Sequence, residues 1–216
     1  MLELFLFVNP IGCQCLEAEH VLLKLAAEQH QEAKIKFIPY VSLSVINKYM
    51  TLNQLDKSDL SLRNRLTQNA YCASLDFKAV SFQGAKKSRN FLINLQSLIN
   101  DQHRDYNQQT VEMALRAANV DIGYFNAERH NPRLQHLCSE DDNLITEFHI
   151  NDAPTVVIYN YASKAHDNGV LIENCNSYPI LKHVFDQLTA DELVTIPYEQ
   201  QALMPYRRIA NRLHTL

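Results

Sequence analysis

Glycine is scarce in this chain of 216 residues, with four copies at positions 12, 84, 123 and 169. Those positions can build neither G-x-x-x-x-G-K-[ST] nor G-x-G-x-x-G, the glycine-rich patterns whose loops hold phosphate groups. The sequence therefore excludes the usual nucleotide-binding loops, and we predict no cofactor.

The chain also lacks an excess of basic charge and long apolar runs. The formal net charge is −4, so no basic face is expected to neutralise phosphates, and nucleic acid is not a predicted partner. No apolar run reaches the roughly 20 residues that span a membrane. The N-terminus lacks a basic segment and carries Glu3 inside its apolar run, unlike a secretory signal peptide. We therefore expect a cytoplasmic protein with no membrane contact, whose thiols stay reduced.

Cysteine is present in an odd number, at positions 13, 15, 72, 138 and 175, with no pairing pattern. This argues against a disulfide scaffold. Cys72 lies in an apolar helical stretch and is predicted to be a core thiol. His130, His136 and Cys138 match no zinc-finger or ribbon spacing, so we predict no metal site.

The N-terminal segment carries the most informative pattern. The apolar run from Leu4 to Val8 predicts a buried strand, and Asn9-Pro10 ends it because proline cannot donate to a strand ladder. Cys13 and Cys15 follow where a helix begins. A thiol at a helix N-terminus meets the positive end of the dipole, which favours the thiolate form. A strand, a tight turn and cysteines at the start of a helix form an arrangement typical of proteins that carry out thiol chemistry.

The next elements predict a βαβ unit. An amphipathic helix is expected from Leu16 to about Gln31, with Ala18, Leu22 and Leu25 on one face. A second strand follows from Lys34 to Pro39, in which apolar residues alternate with lysines. The two strands are expected to be parallel and joined by a right-handed crossover.

A helical block is predicted between about residues 50 and 145, where apolar residues recur at spacings of three and four. The predicted helices lie within 58–82, 85–102, 110–119 and 121–128, and a last one follows Asn131-Pro132 through Leu144. Asp121 is a candidate cap for the fourth of these helices.

Strand character returns at Ala153–Asn160, which is β-branched and apolar. Asn168-Gly169 predicts a hairpin turn into a further strand. Ser177 is a candidate cap for a closing helix from Pro179 to Leu188. Residues 191–216 follow as a tail. Its arginines, Arg207, Arg208 and Arg212, would lie on one side of a possible short helix.

Three stretches, in this order, resemble the DsbA family of thioredoxin-fold proteins. They are Phe7-Val8-Asn9-Pro10 followed by cysteines, Asn119-Val-Asp-Ile-Gly-Tyr-Phe in the helical block, and Asp152-Ala153-Pro154-Thr155-Val156 ahead of the third strand. The resemblance implies an α/β, thioredoxin-like fold with a DsbA-type all-helical insertion. It implies a discontinuous thioredoxin-like domain at 1–48 and 146–190, a helical domain at 49–145, and a tail at 191–216.

The resemblance also implies roles for particular residues. Cys13, Cys15 and Pro154 fall at or near redox-motif positions, and Pro154 is expected to follow a cis peptide bond. Ala153 would offer its backbone to an extended substrate by strand addition.

This chain departs from the family at the cysteines, because it has Cys-x-Cys where the family has Cys-x-x-Cys. When the family's Pro-x-Cys-x-x-Cys pattern is aligned at Pro10, its attacking cysteine corresponds to Gly12 and its resolving cysteine to Cys15. Glycine supplies no nucleophile. A Cys13–Cys15 bridge is conceivable but strained, because residues two apart have Cα atoms about 6–7 Å apart, near the upper limit for a disulfide.

Within the family the chain is similar to the cytosolic YjbH/SpxH branch. This likeness implies an adaptor that binds a client transcription factor of the Spx type and promotes its degradation by ClpXP. The implied partners are proteins, and no enzymatic activity is required. The alternative is a thiol–disulfide oxidoreductase or isomerase that uses Cys13 and Cys15 with Pro154. A glutathione transferase of the kappa type ranks last, because it would need a serine at 12–15.

Overall fold

The chain forms two compact units. The structure is a computed structural model that describes residues 1–28, 33–161 and 168–210. The first unit takes in Met1–Val8, Glu17–Ile38 and Asp152–Leu216, and the second takes in Asn9–Leu16 and Pro39–Asn151. The cysteine segment therefore belongs to the second unit. The domain boundaries predicted from the sequence stay a prediction.

A five-stranded sheet forms the centre of the first unit in the described part of the chain. Its strands are β1 (Leu2–Val8), β2 (Ala33–Pro39), β3 (Thr155–Asn160), β4 (Asn168–Glu173) and β5 (Tyr206–Ala210), in the order β2-β1-β3-β4-β5. Strand β3 runs antiparallel to both β1 and β4, and β5 runs antiparallel to β4. The strands predicted at the start of the chain and before Asn160 are confirmed.

The sheet is buried along β1, whose residues Leu4 to Val8 are almost inaccessible to water. A strand covered on both faces has a continuous apolar sequence rather than an alternating one. In the pair formed by β3 and β4, Gly169 of β4 lies against the ring of Tyr159 of β3, and an added Cβ would collide with that ring. Glycine is therefore needed at 169 for space.

The helices in the described residues are α1 (Cys13–Glu28), α2 (Leu43–Leu52), α3 (Leu60–Ser81), α4 (Ala85–Asn100), α5 (Gln108–Ala117), α6 (Ile122–Glu128), α7 (Arg133–Glu147), α8 (Tyr178–Thr189) and α9 (Tyr198–Gln201). None of them is long and apolar enough to cross a membrane. In the first unit, α8 begins beside α1, because the Tyr178 hydroxyl donates to Glu28 at 2.6 Å and the Lys24 ammonium lies over the Tyr178 ring.

The second unit packs α3 against α2, α4, α6 and α7, and α4 against α5. Its core includes Phe77, Leu92 and Leu115, all almost fully buried. The Asp121 side chain accepts the Tyr124 N–H at 2.9 Å, which confirms the predicted cap of α6. The helical character of this region is therefore confirmed.

A buried carboxylate also joins three parts of the second unit. Asp76 on α3 accepts a hydrogen bond from the Tyr106 hydroxyl at 2.6 Å and pairs with the Arg129 guanidinium at 2.7 Å. Burial raises the pKa of Asp76, while Tyr106 and Arg129 act against that rise.

Two predictions about the C-terminal part are wrong. Asn168 and Gly169 are not the hairpin turn, because they lie inside β4 opposite Ala210 and Ile209. The connection predicted there falls in 162–167, outside the described residues. The short helix predicted around the arginines of the tail is also wrong, because Tyr206–Ala210 forms β5 and its backbone pairs with β4.

Three smaller differences concern helices. Helix α2 begins at Leu43, ahead of the predicted block, because the Ser42 side chain caps it by accepting the Val45 N–H. Ser177 occupies the cap position of α8 but makes no side-chain cap bond. Cys72 is half-buried rather than a core residue, and its sulphur accepts from Gln68 at 3.3 Å.

Candidate functional site

A tight turn after β1 presents the cysteine segment. The Gly12 N–H donates to the Asn9 carbonyl at 2.9 Å, and the Ile11 N–H donates to the Asn9 side chain at 3.2 Å. Asparagine favours such turns because its side chain accepts from the backbone two residues on. The Gly12 carbonyl then accepts the Leu16 N–H, the first bond of α1. The turn and the helix start are thus fixed by local hydrogen bonds.

Cys15 faces inward from the first turn of α1. It is only 2% exposed, and its sulphur accepts the backbone N–H of Asn9 at 3.1 Å. A thiol held in this way supports the turn. Its burial separates it from solvent and from any partner that approaches from solution.

Gly12 leaves little room for a side chain. An added Cβ would lie 3.1 Å from the Asn9 Cβ, 3.3 Å from the Asn9 carbonyl oxygen and 3.3 Å from the Cys15 sulphur. These distances are shorter than ordinary contacts, so the turn packs tightly around the position where the family has its attacking cysteine.

Cys13 is the first residue of α1 and is half-buried, with a free thiol. Side chains two residues apart on a helix do not face each other, so a Cys13–Cys15 bond would require the first turn to unwind. Tyr49 of α2 is a neighbour that the sequence did not indicate. Burial raises the pKa of Tyr49, and the charge of Cys13 adds to that rise.

Helix α4 holds the turn through two amide side chains. Gln96 donates to the Asn9 carbonyl at 3.1 Å, and Asn100 donates to the Ile11 carbonyl at 3.2 Å. Gln96 is fully buried. Neither residue was predicted from the sequence, although a glutamine in the apolar stripe of α4, one turn after Leu92, is a signal of a buried hydrogen bond.

The Ala153–Pro154 peptide bond, in the first unit, is cis, which confirms the expectation for this bond. The Ala153 N–H donates to the Asp152 side chain at 2.8 Å, and the Thr155 hydroxyl donates to the Asp152 carbonyl at 2.8 Å. The Ala153 N–H is thus already bonded within the loop, although the resemblance implies that the Ala153 backbone binds a substrate. The roles of Ala153 and Pro154 in binding stay predictions.

Metal ligands do not gather in the part of the chain that the structure describes, where no three His, Cys, Asp or Glu side chains are placed to hold an ion. The His136 ring lies 3.4 Å from Glu140 on the exposed side of α7.

The comparisons with known proteins agree with this fold. A family model described as thioredoxin matches residues 5–183. The chain belongs to the thioredoxin family. Several relatives bear the name ClpXP adapter protein SpxH, and the one from Bacillus subtilis strain 168 is 22% identical over 207 residues. That match covers 88% of this chain and 69% of the relative, and the chain spans about two thirds of the length of the first relatives of this name.

Solved structures show the same fold at low identity. A proposed protein disulfide isomerase from Nitrosomonas europaea superposes with a TM-score of 0.64 at 12% identity, over 88% of this chain and 98% of that one. DsbA from Pseudomonas aeruginosa superposes with a TM-score of 0.52 at 11% identity, over 88% and 84%. The chain therefore has the thioredoxin-like α/β fold of the DsbA type, as the sequence predicted.

Proposed function

We propose that this protein is an adaptor that binds a client protein and promotes its degradation by the ClpXP protease. The observation that carries the proposal is the likeness, over 88% of the chain, to a relative named ClpXP adapter protein SpxH. We propose an Spx-type transcription factor as the client. A cytoplasmic location goes with this role and fits the five cysteines, none of which is joined in a disulfide in the described part of the chain.

The geometry of the turn supports an adaptor because it lacks the parts of a working dithiol. Gly12 stands where an attacking cysteine is required, and Cys15 is buried and bonded to the backbone of Asn9. An adaptor acts by holding its client, so it needs no thiol turnover. The loss of the attacking cysteine is compatible with that role.

The alternative, a thiol–disulfide oxidoreductase, has in its favour the position of Cys13 at the start of α1. Against it, Cys13 and Cys15 point away from each other on the same helix turn. Dithiol exchange would require the helix start to unwind in each cycle. The adaptor is therefore the better-supported function.

The test is the rate at which purified ClpXP degrades a purified Spx-type client, with and without this protein. We expect the protein to accelerate degradation of the client and to leave an unrelated ClpXP substrate unaffected. The unrelated substrate separates client delivery from general activation of the protease. Equal rates with and without the protein would overturn the adaptor proposal, and turnover of a disulfide-containing peptide would then be measured for the alternative.

A further inference from the structure

The second unit contains a side-chain-sized cavity that lies outside the cysteine turn. It is lined by α3, α7 and the segment that follows β2, and its volume is ≈ 270 Å³. Pockets for drug-sized ligands and cofactors usually span about 300–1,000 Å³. The cavity is thus suited to one long side chain of a partner rather than to a cofactor.

The charges inside the cavity partly cancel. The Lys78 ammonium lies 2.5 Å from the Asp141 carboxylate, and both side chains are less than a tenth exposed. A buried ion pair of this kind is neutral as a unit. Asp142, which lines the same cavity from an exposed position on α7, contributes a further negative charge. The cavity as a whole therefore favours a cation.

Cys138 also lines the cavity, where its surroundings disfavour the reactive thiolate form. Burial raises its pKa, Lys78 acts against that rise, and Asp141 and Asp142 add to it. A thiol with a raised pKa stays protonated and unreactive near neutral pH. The surroundings of Cys138 therefore disfavour covalent chemistry in this cavity.

Two tyrosines complete the cavity wall. Tyr40 follows β2 and is half-buried, and Tyr71 on α3 is 52% exposed. An aromatic ring attracts a cation placed over its face, and arginine is the commonest protein cation in such contacts because its planar guanidinium also stacks. The aromatic groups and the carboxylate of Asp142 thus attract the same kind of ligand.

We propose that this cavity binds an arginine side chain of a protein partner, with the guanidinium against Tyr71 and paired with Asp142. An anion is disfavoured because Asp142 would repel it and the charge of Lys78 is already matched by Asp141. The identification of that partner as the client rests on the proposed adaptor function. The binding of arginine itself does not depend on it.

The first test is a titration of the full chain with the peptide acetyl-Gly-Arg-Gly-amide, followed by the NMR shifts of the Val41 and Ile145 methyl groups, which line the cavity. The matched peptide with citrulline has the same shape without the charge. We expect the arginine peptide to shift both methyl groups and the citrulline peptide to bind more weakly. Equal affinities, or no shifts, would overturn the proposal.

Two variants locate the contact. Asp142→Asn and Tyr71→Leu are each expected to weaken binding of the arginine peptide by about 1.4- to fivefold, because exposed ion pairs and cation–π contacts contribute about 0.2–1 kcal/mol. The controls are Glu140→Gln, on α7 but outside the cavity lining, and Tyr124→Leu, an exposed tyrosine of α6. Equal weakening in the controls would contradict the assignment.

Client degradation by ClpXP separates this proposal from the adaptor function. If the wild type accelerates degradation and Asp142→Asn and Tyr71→Leu reduce that acceleration, the cavity contacts the client. If all three accelerate equally, the cavity is not the client's contact, and the adaptor function stands. If the wild type fails to accelerate, the adaptor function is wrong, and the peptide titration alone decides whether the cavity binds arginine.

Discussion

At the scale of single residues, Gly12 determines what the cysteine turn can do. Its backbone closes the turn with Asn9, and with no side chain it offers no thiol to the neighbouring Cys15. The space at position 12 is limited, since an added Cβ would lie 3.3 Å from the Cys15 sulphur. That short distance also means that a cysteine placed at 12 would bring its sulphur within bonding reach of Cys15, because an S–S bond is about 2.05 Å long.

Gly12→Cys is therefore expected to restore an oxidisable dithiol. Under mild oxidation the variant should lose two free thiols relative to its reduced form, as counted by thiol alkylation and mass spectrometry, and should gain exchange activity on a disulfide peptide. The control Gly12→Ser adds similar bulk without a thiol and should cost about 1 kcal/mol of unfolding free energy from crowding. Absence of a disulfide in Gly12→Cys would contradict the position assigned to Gly12.

Gln96 is the second residue whose role can be tested by itself. Gln96→Leu removes the buried side-chain donor to the Asn9 carbonyl and should lower the free energy of unfolding by about 0.5–1.5 kcal/mol, because that carbonyl then keeps only the Gly12 N–H. Urea denaturation measures the change. The control is Asn94→Ala on the same helix, which removes an exposed bond within α4 and should cost much less. Equal losses would show that the bond to the turn is unimportant.

At the scale of elements, the sequence predicted most of the secondary structure, because apolar spacing decides it. Strand β1 and the helices from α3 to α7 follow from that spacing, and the cap of α6 follows from Asp121. The predictions failed where long-range pairing decides the outcome. The positions of Arg207, Arg208 and Arg212 predicted a short helix, yet residues 206–210 form a strand because β4 offers backbone partners far away in sequence.

The candidate site was predicted less completely than the fold. The sequence indicated the turn, both cysteines and the cis bond before Pro154. It did not indicate that Gln96 and Asn100 bond to the turn, because their partners lie almost 90 positions away; a glutamine in the apolar stripe of α4 signals a buried hydrogen bond but does not identify its partner. Nor did it indicate that Cys15 accepts a backbone hydrogen bond, since this depends on the exact path of the turn.

The buried pair of Lys78 and Asp141 connects α3 with α7 and gives a prediction at the element scale. Lys78→Met alone should destabilise the protein by about 3–5 kcal/mol, because it leaves a buried carboxylate without its counter-charge. The double variant Lys78→Met/Asp141→Leu should recover most of that loss. A double-mutant cycle by urea denaturation measures both effects. If the double variant is no more stable than Lys78→Met, the pair is not a coupled unit.

At the scale of the whole molecule, the fold and the chemistry of the site suggest different functions. The fold is that of DsbA-type proteins, whereas the turn lacks the attacking cysteine and buries the remaining one. A shared fold does not imply a shared reaction, because function depends on the site. Binding of a protein partner can persist on such a scaffold after thiol turnover is lost, and the likeness to relatives named as ClpXP adapters agrees with this view.

The most direct test of this account is the client's degradation rate by ClpXP in the presence of the Cys13→Ser/Cys15→Ser variant. Serine at 15 can still accept the Asn9 N–H, so the turn should be retained, and urea denaturation checks this. We predict that the variant accelerates degradation as well as the wild type. If the wild type accelerates degradation and the folded variant does not, adaptor action depends on the thiols and the central claim is contradicted.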